Sequence, residues 1–203
     1  MLEIKDLTKT YHGGKIAVSN LSLDVQSGDI YGFIGHNGAG KTTTIKCVVG
    51  IQEFDAGDIL IDGISIKEDP ICCKSVTAYI PDNPDVYEYL TGIQYLNFMA
   101  DIFGLSAAER EERIRKEAED FEITEALGDL ISSYSHGMKQ KLAIISALIH
   151  KPKLLVLDEP FNALDYKTYE DVKTIIRMLK AEGKTIFMTS HRYKDIEQLC
   201  DEV

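Results

Sequence analysis

The pattern Gly35-x-x-x-x-Gly40-Lys41-Thr42 sets two glycines, a lysine and a hydroxyl at the spacing of a phosphate-binding loop. A polyphosphate needs several backbone N–H donors converging on it. Glycine lets the backbone curl that closely because no Cβ intervenes. A helix starting near Lys41 adds its positive end, and the Lys41 ammonium reaches the outer phosphates. Thr42 offers a hydroxyl to Mg2+. Far along the chain, the aliphatic run Lys153 to Asp158 closes on the acids Asp158-Glu159. By itself such a pair reads as a strand-end turn with two exposed carboxylates. Together with the loop it reads as the other half of a phosphate site, with Asp158 beside the Mg2+ shell and Glu159 placed to accept a proton from attacking water. His191 follows the strand-like Lys184 to Ser190 on the edge where ligands bind, which favours a role at the γ-phosphate over a structural one. Tyr11 has two even readings: ordinary packing, or a flat ring on which an adenine stacks.

These residues need elements to hold them. Ile30 to Ile34 reads as a buried strand leading into the glycine-rich turn, with helix formers after it. Leu2 to Leu7 and Leu21 to Val25 alternate apolar and polar residues as half-buried strands, with a loop over Thr10 to Gly14 between them. Asp58 to Ile66 reads as two short strands turning at Asp62-Gly63, and Val76 to Ile80 as a further strand that Pro81 to Pro84 stops. Composition then shifts. Thr91 to Phe103 and Ser106 to Phe121 read as helices, the second opening on a Ser106/Glu109 capping box and showing a charged, solvated face. The stretch Tyr134 to Gln140 precedes an apolar helix over Lys141 to His150, and a helix over Asp165 to Lys180 follows the acids. Roughly 84 to 150 is a helical insertion in an α/β chain.

The chain's 203 residues suffice for one domain or two closely joined lobes. Charged residues at 27% and hydrophobic residues at 44% are ordinary for a globular protein. A net charge of −11 disfavours a nucleic-acid surface, which shows as a basic stripe. No apolar run approaches membrane-spanning length, and Met1 opens directly into a strand-like segment, from which no signal peptide is expected. The four cysteines have neither CxxC nor Cys/His ligand spacing, so buried or incidental thiols are expected.

Taken in order, these segments resemble the ATP-binding cassette (ABC) ATPases over nearly the whole chain. GHNGAGKTT, spanning Gly35, His36, Asn37, Gly38, Ala39, Gly40, Lys41, Thr42 and Thr43, looks like the Walker A loop, with His36 where proline is commonest. LLVLDEP looks like Walker B followed by the catalytic glutamate, here Glu159. Ser135-His136-Gly137-Met138 occupies the place of the LSGGQ signature, Asn162 to Asp165 that of the D-loop, His191 that of the switch histidine, and Tyr11 that of the adenine-stacking residue. Three departures stand out. His136 replaces the signature's first glycine, Asp82 aligns with the Q-loop glutamine, and members of the family usually continue with further strands beyond the position of Val203, which implies a shortened chain.

The resemblance implies an α/β P-loop NTPase fold: a mixed sheet core with an antiparallel β lobe and an inserted helical subdomain. Residues 1–83 and 151–203 would form the nucleotide-binding core, and 84–150 the helical part carrying the signature. It implies ATP and Mg2+ as ligands, with Glu159, His191 and Lys41 catalytic. Tyr11, Gly35 to Thr43 and, from a second copy, Ser135, His136 and Gly137 would bind nucleotide. Thr42, Asp82 and Asp158 would lie at the metal. The YSxGMKQ form of the signature is most similar to ATPase subunits of bacterial exporters. The implied partners are a transmembrane permease and a second ATPase subunit, with no nucleic acid, and the implied place is the cytoplasmic face of the cell membrane. The alternative is a non-transport ABC ATPase. Translation-factor types usually carry two cassettes and DNA-repair types a long coiled coil, and neither pattern is present.

Overall fold

The computed structural model describes residues 1–83 and 86–203. The expected start of the helical insertion, residue 84, lies outside the described residues. Two four-stranded sheets organise the chain. The first is antiparallel, in the order β2-β1-β4-β5, from β1 (Leu2–Tyr11), β2 (Lys15–Val25), β4 (Ala56–Ile61) and β5 (Ile64–Ser65). The second is parallel, in the order β3-β8-β7-β6, from β3 (Ile30–Ile34), β6 (Thr77–Ile80), β7 (Leu154–Leu157) and β8 (Thr185–Ser190).

Every residue of β7 and β8 is buried, as a parallel sheet covered on both faces requires. The pleat divides them between two cores. Leu155, Leu157, Ile186 and Met188 join the cluster that holds α3 (Gly92–Ile102), α4 (Ala107–Asp120), α5 (His136–Leu148) and α6 (Tyr166–Ala181). Leu154, Val156 and Phe187 face α1 (Lys41–Val48) and the inner face of the antiparallel sheet through Ile45, Val48, Leu2 and Ile4. One residue of slip in β7 would exchange these faces, so its register is strongly specified.

The parallel strands all end on one edge. The register pairs Ile34 with Ser190, Leu157 with Met188, and Ile80 with Leu157. The segments that leave this edge therefore start side by side: the glycine loop after β3, Asp158-Glu159 after β7, His191 after β8 and Asp82 after β6.

Several elements differ from the local reading. β1 and β2 run on to Tyr11 and back to Lys15, because register shifts and positive φ at Asp6 and Asn20 break the alternation that would have shown their length. α5 starts at His136 rather than Lys141. Ser135 is its N-cap, its hydroxyl accepting the Met138 N–H at 3.2 Å, and Gly137 in the first turn hides the helix from a propensity reading. The short helices α2 (Pro70–Ser75) and α7 (Tyr193–Leu199) were not expected. The Ser106/Glu109 capping box is formed in both directions, and Thr91 with Gln94 makes a second at the start of α3. All four cysteines are free, with Cys47 and Cys73 buried. Among the described residues no helix is long and apolar enough to cross a membrane.

Candidate functional site

The loop after β3 can be built only with glycine at one position. Gly40 caps α1 at φ +94°, and a Cβ there would stand 2.3 Å from the Ala17 carbonyl oxygen on β2. The turn therefore presses against the antiparallel sheet, and Lys41 starts the helix directly beneath it. The Lys41 ammonium is buried and uses its donors on the Gly35 carbonyl at 2.7 Å, the His36 carbonyl at 3.3 Å and Glu159 Oε1 at 3.3 Å.

Glu159 is held from several directions. Its other oxygen, Oε2, lies 2.8 Å from His191 Nδ1 and accepts the His191 backbone N–H at 3.2 Å. Its own N–H donates to Thr189 Oγ1 at 3.0 Å, and its carbonyl accepts the Asn162 N–H at 3.0 Å. Glu159 takes φ +49°, a left-handed conformation rare for a residue with a Cβ. Asp158, buried at the end of β7, accepts the Thr189 hydroxyl at 2.6 Å and donates its N–H to the Ile80 carbonyl at 2.9 Å. On the far side, Asp82 Oδ1 accepts the Asn162 side-chain amide at 2.9 Å. Burial first, then the charges of Asp158 and Asp82, push the neighbouring Tyr79 phenol up to about 12.

One cavity of about 460 Å³ gathers Tyr11, Asn37, Gly38, Gly40, Lys41, Thr42, Thr43, Asp82, Asp158, Glu159 and His191. The Tyr11 hydroxyl stands 3.2 Å from Thr43 Oγ1, which fixes the ring at the cavity wall, and Lys9 Nζ lies 5.7 Å from the ring centre. Gly35, His36 and Ala39 belong to the loop but do not line the cavity. Gly35 and His36 act through the carbonyls that hold Lys41, and the His36 ring is exposed with Nδ1 2.9 Å from the Asn37 carbonyl.

Ser135 and Gly137 are elsewhere. They line a separate cavity of about 640 Å³ with Lys141, Asp165 and Thr168. Gly137 is required by packing, because a Cβ would lie 2.6 Å from Thr168 Oγ1. His136 is exposed and outside that lining. A single copy thus brings the loop, the acids and His191 together and keeps Ser135 to Gly137 apart from them.

Three contributors escaped the sequence reading. Thr189 announces itself only as a polar residue in a buried strand. Lys15 and Ala17 of β2 line the first cavity without any local pattern to mark them. No group of three or more His, Cys, Asp or Glu side chains is arranged to hold a metal among the described residues. The oxygen set of Thr42, Asp82 and Asp158 in one cavity still fits Mg2+, which takes one or two carboxylates and completes its shell with phosphate and water.

Residues 18–162 match the model of the ABC transporter family. The chain is 36% identical to the Bacillus subtilis uncharacterized ABC transporter ATP-binding protein YhcH, over all of this chain and 66% of that protein. It is 33% identical to the Bacillus subtilis linearmycin resistance ATP-binding protein LnrL, over all of this chain and 65% of that protein. The chain thus spans just under two thirds of the length of these relatives. A solved structure described as the ATP binding subunit of an ABC transporter superposes with a TM-score of 0.89 at 35% identity, covering all of this chain and 85% of that one. With its P-loop fold and this degree of likeness, the chain belongs to the ABC transporter family, as an ATP-binding cassette.

Proposed function

We propose that this cassette hydrolyses ATP with Mg2+, using Glu159 as the base. The observation that carries the reading is the chain of contacts from Lys41 Nζ through Glu159 to His191 Nδ1, lying in the same cavity as Asp158 and Asp82. Tyr11 stacks the adenine, and Gly35 to Thr43 cradle the phosphates with backbone N–H groups at the head of α1. A γ-phosphate entering the cavity competes with Glu159 for the Lys41 ammonium, which frees the carboxylate to face water. The water oxygen attacks the γ-phosphorus in line as the bond to the bridging oxygen breaks. Glu159 takes the proton from the water, ADP leaves with the bonding electrons, and His191 steadies water and phosphate. Bound Mg2+ would offset charge on the phosphate oxygens, held by Thr42, Asp158 and Asp82 directly or through water.

The separate placement of Ser135 and Gly137 supports a head-to-tail dimer in which each ATP lies between the loop of one copy and Ser135, His136 and Gly137 of another. In that arrangement residues 1–83 and 151–203 form the nucleotide core and 84–150 the helical part. Dimer opening after hydrolysis would drive a transmembrane permease from the cytoplasmic face of the membrane. Export is the favoured direction because of the signature's form, and the acidic balance disfavours a nucleic-acid partner. Replacing Lys41 with alanine tests the chemistry. Phosphate release is expected to fall about a hundredfold or more, while the thermal melt shows a folded chain. Turnover near that of the parent protein would refute the assignment.

A further inference from the structure

Thr189 is fully buried, and its single hydroxyl serves both acids of the site. It donates to Asp158 Oδ1 at 2.6 Å and accepts the backbone N–H of Glu159 at 3.0 Å. A threonine hydroxyl has one proton and two lone pairs, so the donor is fully committed to the carboxylate. The residue sits on β8 opposite Phe33 of β3, and β8 also pairs with β7, whose end carries both acids. Its branched side chain is stiff at χ1, so the oxygen is fixed by the strand itself. Glu159 meanwhile holds a left-handed backbone, which persists only where neighbouring groups over-determine it. The Thr189 oxygen fixes the N–H side of that residue, and Asn162 the carbonyl side.

We propose that Thr189 is a positioning residue that fixes the base Glu159 relative to the metal-side acid Asp158 through this one hydroxyl. The same strand end then completes the arrangement two residues on, where His191 orients the far oxygen of Glu159. The inference rests on the hydrolysis reading above.

Two one-atom comparisons test it. Thr189→Ser and Thr189→Ala are similar in size and differ by the oxygen, and Thr189→Val keeps the parent's volume without it. Each variant is assayed for ATP turnover and, independently, for the Mg2+ concentration that half-saturates binding of a fluorescent ATP analogue. Thr189→Ala is expected to lose about tenfold or more in kcat against Thr189→Ser, with KM for ATP within about twofold, and to need several-fold more Mg2+. Thr189→Ser should recover most of the parent's values. Melting curves fix a temperature at which each variant is folded. Should Thr189→Ala have no such window, Thr189→Val against the parent supplies the same comparison. Equal kcat and equal metal requirement with and without the oxygen would overturn the proposal. Turnover in the parent that survives Glu159→Gln would instead overturn the hydrolysis reading, and the metal requirement would still report on Thr189 and Asp158.

Discussion

Gly38 and Gly40 lie two residues apart in the same loop, both at positive φ, yet they answer to different constraints. At Gly38 a Cβ would meet nothing within 4 Å, so only backbone conformation resists a side chain. At Gly40 the Cβ would also collide with the Ala17 carbonyl at 2.3 Å, and β2 would have to move. Gly38→Ala should therefore cost about 1 kcal/mol, and Gly40→Ala about 3 kcal/mol or more. In a chain of this length that corresponds to melting points lowered by about 2–4 °C and about 6 °C or more. Calorimetry on the nucleotide-free proteins checks this, and equal shifts would mean that the loop does not press on β2 as described. Gly137, at a different place in the chain, is likewise set by a neighbour, the Thr168 side chain.

At the scale of elements, the site depends on four parallel strands ending on one edge, and this decides what could be read from the sequence. Gly35 to Thr43, Asp158-Glu159 and His191 were legible because each follows directly on a short apolar strand run. Strand order supplied what local pattern lacked: Thr189 meets Asp158 only because β8 lies beside β7, and Asp82 meets Asn162 only because β6 lies on the other side. These partners stand 31 and 80 positions apart, beyond the reach of any periodicity. β1 and β2 were underestimated for a different reason, since bulges scramble alternation without ending a strand. The Asp82–Asn162 bond links the end of β6 to the turn that carries Glu159. Asp82→Ala and Asn162→Ala should each slow turnover several-fold, with the double variant no slower than the worse single one, a coupling of about 1 kcal/mol. ATP affinity by calorimetry should change less than about threefold. A loss beyond about tenfold in Mg-ATP affinity for Asp82→Ala alone would make Asp82 chiefly a direct metal ligand.

At the scale of the whole chain, Lys41, Asp158, Glu159 and His191 line one cavity and Ser135 and Gly137 another, and in the proposed reading each is half of a site. Two copies arranged head to tail would complete both. A net charge of −11 on each copy opposes their approach, but at moderate salt that repulsion is screened beyond about 10 Å, and contacts to phosphate act at shorter range. Glu159→Gln removes the base and one negative charge near the γ-phosphate, so ATP and the contacts it bridges should persist. Introducing Ser135→Arg as well should return the protein to monomer with ATP still bound. The most direct measurement is size exclusion with light scattering on Glu159→Gln protein in ATP and in ADP. The predicted result is a doubling of mass in ATP only; a monomer at high protein concentration with ATP demonstrably bound would contradict the two-copy site.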